Sequence, residues 1–211
     1  EGGAGPNTVK VLCPHSPPCS LERVVLLPCD WTGGAGLWLC PVALYMAITH
    51  RAFKLLIDKY YDAIDATKKQ SGLESSMAIT AAYISFCEEH VLYADCMLEY
   101  ISIMGIAQQE NASNKMTEAM SESAYFKKCQ EIQQLPTRLS IQEIQRGQKD
   151  GSVVNTDSAF LISLKAWMLL TGFAKLMTLS KDGELPMYKM PLEALKAEVL
   201  QTCRFFLLQD G

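Results

Sequence analysis

Residues 41–67, PVALYMAITHRAFKLLIDKYYDAIDAT, decide the fold class. Leu44, Ile48, Ala52, Leu55, Leu56, Tyr60 and Ile64 recur at steps of three and four, while His50, Lys54, Asp58, Asp62 and Asp65 fall on the other side. That period gathers the apolar residues into one stripe of an α-helix and leaves a wet face opposite. Pro41 suits a first helical position, because the N–H it lacks would be unpaired there anyway. The spacing predicts a helix from Pro41 to about Thr67, on the order of 40 Å long at 1.5 Å per residue. Of the adjacent Tyr60 and Tyr61, one ring is expected inside and one outside.

The same period continues along the chain. Gln70-Ser71-Gly72 marks a break, after which Ile79, Tyr83, Phe86, Cys87, Val91, Met97, Ile101 and Met104 predict one second long helix over 73–108, with Thr80, Glu88, Glu89, Asp95 and Glu99 as its polar positions. The stretch 109–114 reads as a surface turn, and 115–134 as a more hydrophilic helix ended by Pro136. Ser140-Ile141-Gln142-Glu143 matches a capping box that opens a short helix, with Gly147 as its stop and a polar loop over 147–154. Asn155 or Thr156 is the expected cap of a helix running to about Leu179, which is apolar nearly all round and is therefore expected at the centre of a bundle. Lys181-Asp182-Gly183 breaks the chain again, and Pro191 opens a last amphipathic helix carrying Leu192, Leu195, Val199, Phe206 and Leu207.

Residues 1–41 differ in kind. They hold six of the nine prolines, six of the thirteen glycines and four of the eight cysteines, with only five charged residues. Val9 to Leu12 and Val24 to Leu27 are short β-branched runs that suit strands or extended chain. The uncharged stretch 31–49 has the length of a membrane span, but Gly33, Gly34, Gly36 and Pro41 interrupt it, so buried core is the expectation rather than a span. The predicted architecture is all-α: an antiparallel helical bundle of five or six helices, two of them long, over 41–211, preceded by an irregular Pro/Gly/Cys-rich N-terminal arm over 1–40.

Composition narrows the function classes. At 211 residues, 49% hydrophobic and 20% charged, the chain is neither disordered nor fibrous. A net charge of −4 without a basic tract argues against gripping nucleic acid, because phosphate neutralisation needs clustered Lys and Arg. No charged leader with an apolar stretch and small-residue site is read at the start, and thiols scattered through helical segments suit a reducing compartment, so the expected location is cytoplasmic.

Several clusters of residues bear on chemistry. Cys13, His15 and Cys19, with Cys29 and Cys40, offer thiolates and an imidazole for zinc, yet no Cys-x-x-Cys occurs anywhere and the spacing departs from paired ligands. Cys87, Glu88, Glu89, His90, Asp95, Cys96 and Glu99 lack the paired Glu-x-x-His that a di-iron bundle needs, and read as a solvated acidic stripe. The glycine-rich turn Gly33-Gly34-Ala35-Gly36 lacks a following Gly-Lys-Ser/Thr and is no phosphate loop. His15, His50 and His90 sit in no nucleophile signature, and Asp58, Asp62 and Asp65 read as an exposed face. No catalytic residue, metal ligand or cofactor is assigned.

The expected function is a non-catalytic helical protein-interaction or scaffolding module. It would bind another protein through amphipathic helix faces, the outer side of 115–134 or the last helix, or through the arm. There Trp31, Leu37, Trp38 and Leu39 form an apolar docking or self-association patch unless they fold back. The alternative is a carrier for an apolar, lipid-type ligand held between helices. It is suggested by the apolar helix from Phe160 to Leu179 and by Met97, Met104, Met168 and Met177 at inward positions. A metal-dependent enzyme is the third reading.

Overall fold

The computed structural model describes residues 41–107, 118, 120–180, 183–186 and 188–209. The expected arm lies outside them, with its strand candidates, Cys13, His15, Cys19, Cys29, Cys40 and the docking residues Trp31, Leu37, Trp38 and Leu39. Among the described residues the fold is an all-α bundle. Its helices are α1 (Pro41–Thr67), α2 (Gly72–Glu89), α3 (Val91–Ala107), α4 (Ala124–Ile132), α5 (Leu135–Asp150), α6 (Ala159–Thr178) and α7 (Leu192–Leu208). A two-residue antiparallel ribbon, β1 (Glu184–Leu185) with β2 (Met190–Pro191), joins α6 to α7.

Helix α1 has the bounds its period predicts, and Met46, Ala52, Phe53, Leu56, Ile57 and Tyr60 are buried along it while Tyr61 is exposed. The expected second long helix is two. It breaks at His90, whose backbone (φ −136°, ψ 52°) ends α2 while its N–H still donates to Phe86 O at 2.9 Å. The His90 ring sits between Phe86 and Tyr93, with centroids 5.7 and 5.6 Å away. Apolar spacing runs unbroken through this bend, so periodicity alone does not register it.

Further boundaries depart from expectation, and in its described part the helix expected over 115–134 is broken at Ser123, which caps α4 by accepting from Tyr125 N at 3.3 Å. Pro136 does not end a helix but lies in the first turn of α5, where its missing N–H is harmless. Ser140 is therefore mid-helix, donating to Pro136 O at 3.1 Å rather than capping. Gly147 does not stop α5 either. The helix runs on to Asp150, and Gly151, in the left-handed conformation at φ 77°, caps it. Gly147 serves a different purpose, because α5 crosses α2 there with backbone against backbone: a Cβ on Gly72 would lie 2.1 Å from Gly147 N.

Polar groups fasten this crossing. Gly72 N donates to Asp150 Oδ2 at 2.8 Å, Leu73 N to Ser152 Oγ at 3.0 Å, and Arg146 Nη1 to Gln70 O at 2.7 Å. Asp150 thus satisfies a first-turn N–H of α2 beside the Ser71 cap, where helix polarity also favours an anion. Hydrogen bonds from the Ser152 side chain, then from the N–H groups of Gly72 and Ser152, hold the Asp150 carboxyl below the usual carboxylate range. A depressed native pKa contributes stability that is present above the unfolded value and is lost as pH falls through the native one. Asp150→Asn is accordingly expected to be less stable than the parent at neutral pH, with the two converging in acid, as measured by urea melts across a pH series.

Helix α6 is capped by Ser158, which accepts from Leu161 N at 3.2 Å, and not by Asn155 or Thr156. Asn155 is buried and serves α7 instead: its Nδ2 donates to Phe206 O at 2.7 Å while the Val154 and Asn155 N–H groups reach Leu207 O. Nor is α6 central. Ile162, Ser163, Leu170, Phe173, Ala174 and Met177 pack inward, but Phe160, Leu161, Leu164, Trp167 and Met168 face out. Among the described residues α6 is the one helix long and apolar enough to cross a membrane by length and composition. Helix α7 follows its pattern, with Val199, Cys203 and Leu207 buried one turn apart.

Candidate functional site

Between α1, α2, α3, α5, α6 and α7 lies a cavity of about 630 Å³. Its floor is made of core side chains: Phe53, Leu56 and Tyr60 from α1, Ile79 and Tyr83 from α2, Met97 from α3, Ile162 and Leu170 from α6, Cys203 and Leu207 from α7. Exposed lining residues form its rim: Gly105, Gln134, Thr137, Arg138, Phe160, Leu164 and Trp167. The volume falls in the range of small-molecule sites, about 300–1,000 Å³, which are mostly apolar with a few placed polar groups. At about 24 cal/mol per Å³, a sealed void of 630 Å³ would cost on the order of 15 kcal/mol, as much as a domain's whole net stability. Such a space is sustained only if it opens to solvent or holds an occupant.

The polar lining has two parts. On α2, Ser76, Ile79, Thr80 and Tyr83 are spaced i, i+3, i+4 and i+7 and so share a face. Thr80 Oγ1 donates to Ser76 O at 3.0 Å, whereas the buried Ser76 Oγ has no hydrogen-bond partner. The Tyr83 hydroxyl lies beside Cys87 and Thr171 without hydrogen-bond geometry to either, and burial holds its pKa well above the usual phenol value. The second part is the entry into α5 and its first turns, where Gln133 and Gln134, just ahead of the helix, and Thr137, Arg138 and Ser140 on it all line the cavity. Thr80, one of the polar positions of the expected second helix, is buried. Small polar residues set on an apolar stripe were the available signal for this wall.

The cluster from Cys87 to Glu99 does not converge. Glu88 pairs with Lys196 at 2.7 Å, Glu89 with Lys59 at 3.0 Å, and Asp95 with Lys175. Ser85 and Lys59 together hold the Glu89 carboxyl below its ordinary range. Among the described residues no group of three His, Cys, Asp or Glu side chains is placed to hold a metal ion. Asp58, Asp62 and Asp65 are exposed as expected. Of the four inward methionines, Met97 and Met177 are buried and Met104 lines the cavity, while Met168 points out because α6 is peripheral.

Cys87, Cys96, Cys129 and Cys203 are free and buried. Burial pushes the Cys203 thiol from 9.0 up to about 11 and that of Cys87 to about 12. A rise of two units leaves about a hundredfold less thiolate, the reactive form, at neutral pH. These four thiols are expected to resist iodoacetamide at pH 7.5 in the folded protein and to label rapidly in 6 M guanidinium, as read residue by residue by mass spectrometry. Fast native labelling of Cys203 would show that reagents enter freely through the cavity mouth.

Comparison with protein families, curated proteins and solved structures finds no match for this chain. The fold and the cavity are therefore the basis for a functional reading.

Proposed function

We propose that the helical unit is a carrier or sensor for an apolar small molecule held between its helices. The single observation that carries this reading is the open cavity of about 630 Å³, whose apolar floor comes from five separate helices. A module whose only task was to present outer helix faces would gain nothing from leaving this apolar lining open to solvent, and packing it would add stability. The methionines fit the reading as well, since flexible thioethers adapt to an irregular apolar occupant.

The test is native mass spectrometry of the full chain as purified, followed by displacement of Nile red, a neutral fluorophore that brightens in apolar surroundings. A co-purified small molecule, or saturable Nile red binding competed by long-chain lipids, is the expected result. A bare chain that neither binds the dye nor gains thermal stability from any lipid overturns the reading.

A second reading, a protein-interaction module, is favoured by the outward row Phe160, Leu161, Leu164, Trp167 and Met168, each 37–58% exposed on one helix. Its test is whether Phe160→Ser with Met168→Ser abolishes association while leaving the melting temperature unchanged. The free thiols support a reducing, cytoplasmic setting for either reading.

A further inference from the structure

Arg138 is the one charged residue among the described residues that line the cavity. It is exposed at the rim, and among the described residues its one hydrogen-bonded side-chain partner is neutral, Nη2 donating to Gln134 Oε1 at 3.0 Å. What sets Arg138 apart from the other cations, some paired with a carboxylate and some not, is its place on the cavity rim. A guanidinium carries five N–H donors in a planar fork suited to bidentate contact with a carboxylate or phosphate, so most of its capacity here is unspent. Its surroundings reinforce the polarity. Arg138 lies in the first turn of α5, at the positive end of that helix, and the Gln134 side chain does not cap it. Gln133, just before α5, and Thr137 and Ser140 on it add polar groups beside the apolar Pro136, Ile141 and Ile144, whereas α1, α3 and α6 line the cavity mainly with aliphatic, thioether and aromatic side chains. The space is thus amphipathic: a polar, cationic edge beside an apolar interior. On α2 the Ser76 hydroxyl, 6% exposed and without a protein partner, faces the same space, so the occupant or its water supplies hydrogen-bonding atoms as well as bulk.

From this arrangement we infer that the cavity takes a single-chain amphiphile with an anionic head, the chain lying over Ile79, Met97 and Leu170 and the head held at the mouth by Arg138. The inference rests on the ligand-binding reading above and narrows it from any apolar molecule to one whose head is a carboxylate or a phosphate monoester.

The experiment measures displacement of Nile red from the full chain by oleate, by oleoyl lysophosphatidate and by oleyl alcohol, with the parent and with Arg138→Gln and Arg138→Lys. All three competitors share an eighteen-carbon chain, so they differ at the head. The parent is expected to prefer at least one anionic competitor over the alcohol by about tenfold, an amount typical of a charge-assisted hydrogen-bond pair. Whether oleate or lysophosphatidate is favoured tells a carboxylate from a phosphate source. Arg138→Gln should remove the preference while leaving the alcohol's affinity unchanged, Arg138→Lys should restore part of it, and 0.5 M NaCl should weaken the anionic competitors alone. Because Arg138 is exposed, neither variant is expected to change the melting temperature. Equal binding of all three competitors to the parent, or a preference that survives Arg138→Gln, overturns the anionic-head inference and leaves the cavity's ligand-binding role standing. No binding of the dye or of any competitor overturns both.

Discussion

Gly72→Ala is expected to destabilise the bundle by about 3 kcal/mol, the upper end of the usual overpacking cost, enough to lower the melting temperature by about 10 °C in a domain of this size. The added Cβ would sit 2.1 Å from Gly147 N and 2.3 Å from Gly147 Cα, both backbone atoms of α5 that no rotamer change can move. Relief requires α2 and α5 to separate, and that would stretch the bonds from Gly72 N to Asp150 and from Arg146 to Gln70. The reciprocal change, Gly147→Ala, meets first the Val153 Cγ2 methyl at 2.4 Å and should cost somewhat less, since a side chain yields more readily than a backbone. The comparison that isolates the cause is Gly172→Ala on α6, where nothing lies within 4 Å of the new methyl. There the exchange should stabilise by about 0.5–1 kcal/mol, through helix propensity alone. Opposite signs for one chemical substitution would locate the effect in the crossing, and a mild effect at Gly72 would mean that α2 and α5 are not packed backbone to backbone.

Gly147 also shows why part of the fold was legible in the residues and part was not. Helical segments are readable because an apolar stripe at steps of three and four is a local property, and Pro41 to Thr67 is a helix as its period predicts, although Leu44 on that stripe is exposed and the break at His90 leaves no mark in the period. Boundaries failed where one residue type serves two purposes. Glycine marks a helix end when a left-handed turn is needed, as at Gly151, and a close crossing when a neighbouring backbone needs the room, as at Gly147. Only the partner, 75 residues away in sequence at Gly72, distinguishes the two. Proline is similar: in sequence Pro136 has the signature of a terminator, whereas it lies in the first turn of α5.

The apolar content of α6 was legible, its depth in the bundle was not. Hydrophobicity on all sides predicts complete burial only if every side is covered, and the outer row from Phe160 to Met168 stays partly exposed, with Phe160, Leu164 and Trp167 on the cavity rim. The cavity is harder still to foresee. Its lining is drawn from six helices that are far apart in the chain, and each contributes a face that in isolation resembles ordinary core. What distinguished it was a minority signal: Ser76 and Thr80 on the stripe of Ile79 and Tyr83, and a lone cation beside glutamines and threonine at the start of α5.

Phe53→Ala and Phe86→Ala separate the two roles that an apolar side chain plays in this bundle. Phe53 is 1% exposed and Phe86 is 0% exposed, so each truncation should cost about 3–5 kcal/mol in the unliganded protein. The consequences for binding should diverge. Phe53 packs edge-on against Tyr100, with centroids 5.8 Å apart, and also forms part of the cavity floor; its removal joins new space to an existing one. Phe86 belongs to the same core but does not line the cavity, so its removal leaves a separate void. Across a series of acyl chains, Phe53→Ala should move the best-bound length upward, because a longer chain fills the enlarged floor and recovers dispersion contacts that the alanine forfeits. Phe86→Ala should leave the length preference where the parent has it. Since a ligand that binds only the native state stabilises by about 2.7 kcal/mol at one hundred times its Kd, the matched long chain should restore most of the melting temperature lost in Phe53→Ala. Identical length profiles for the two variants would mean that ligand does not reach the Phe53 floor, and would confine binding to the rim around Arg138 and Trp167.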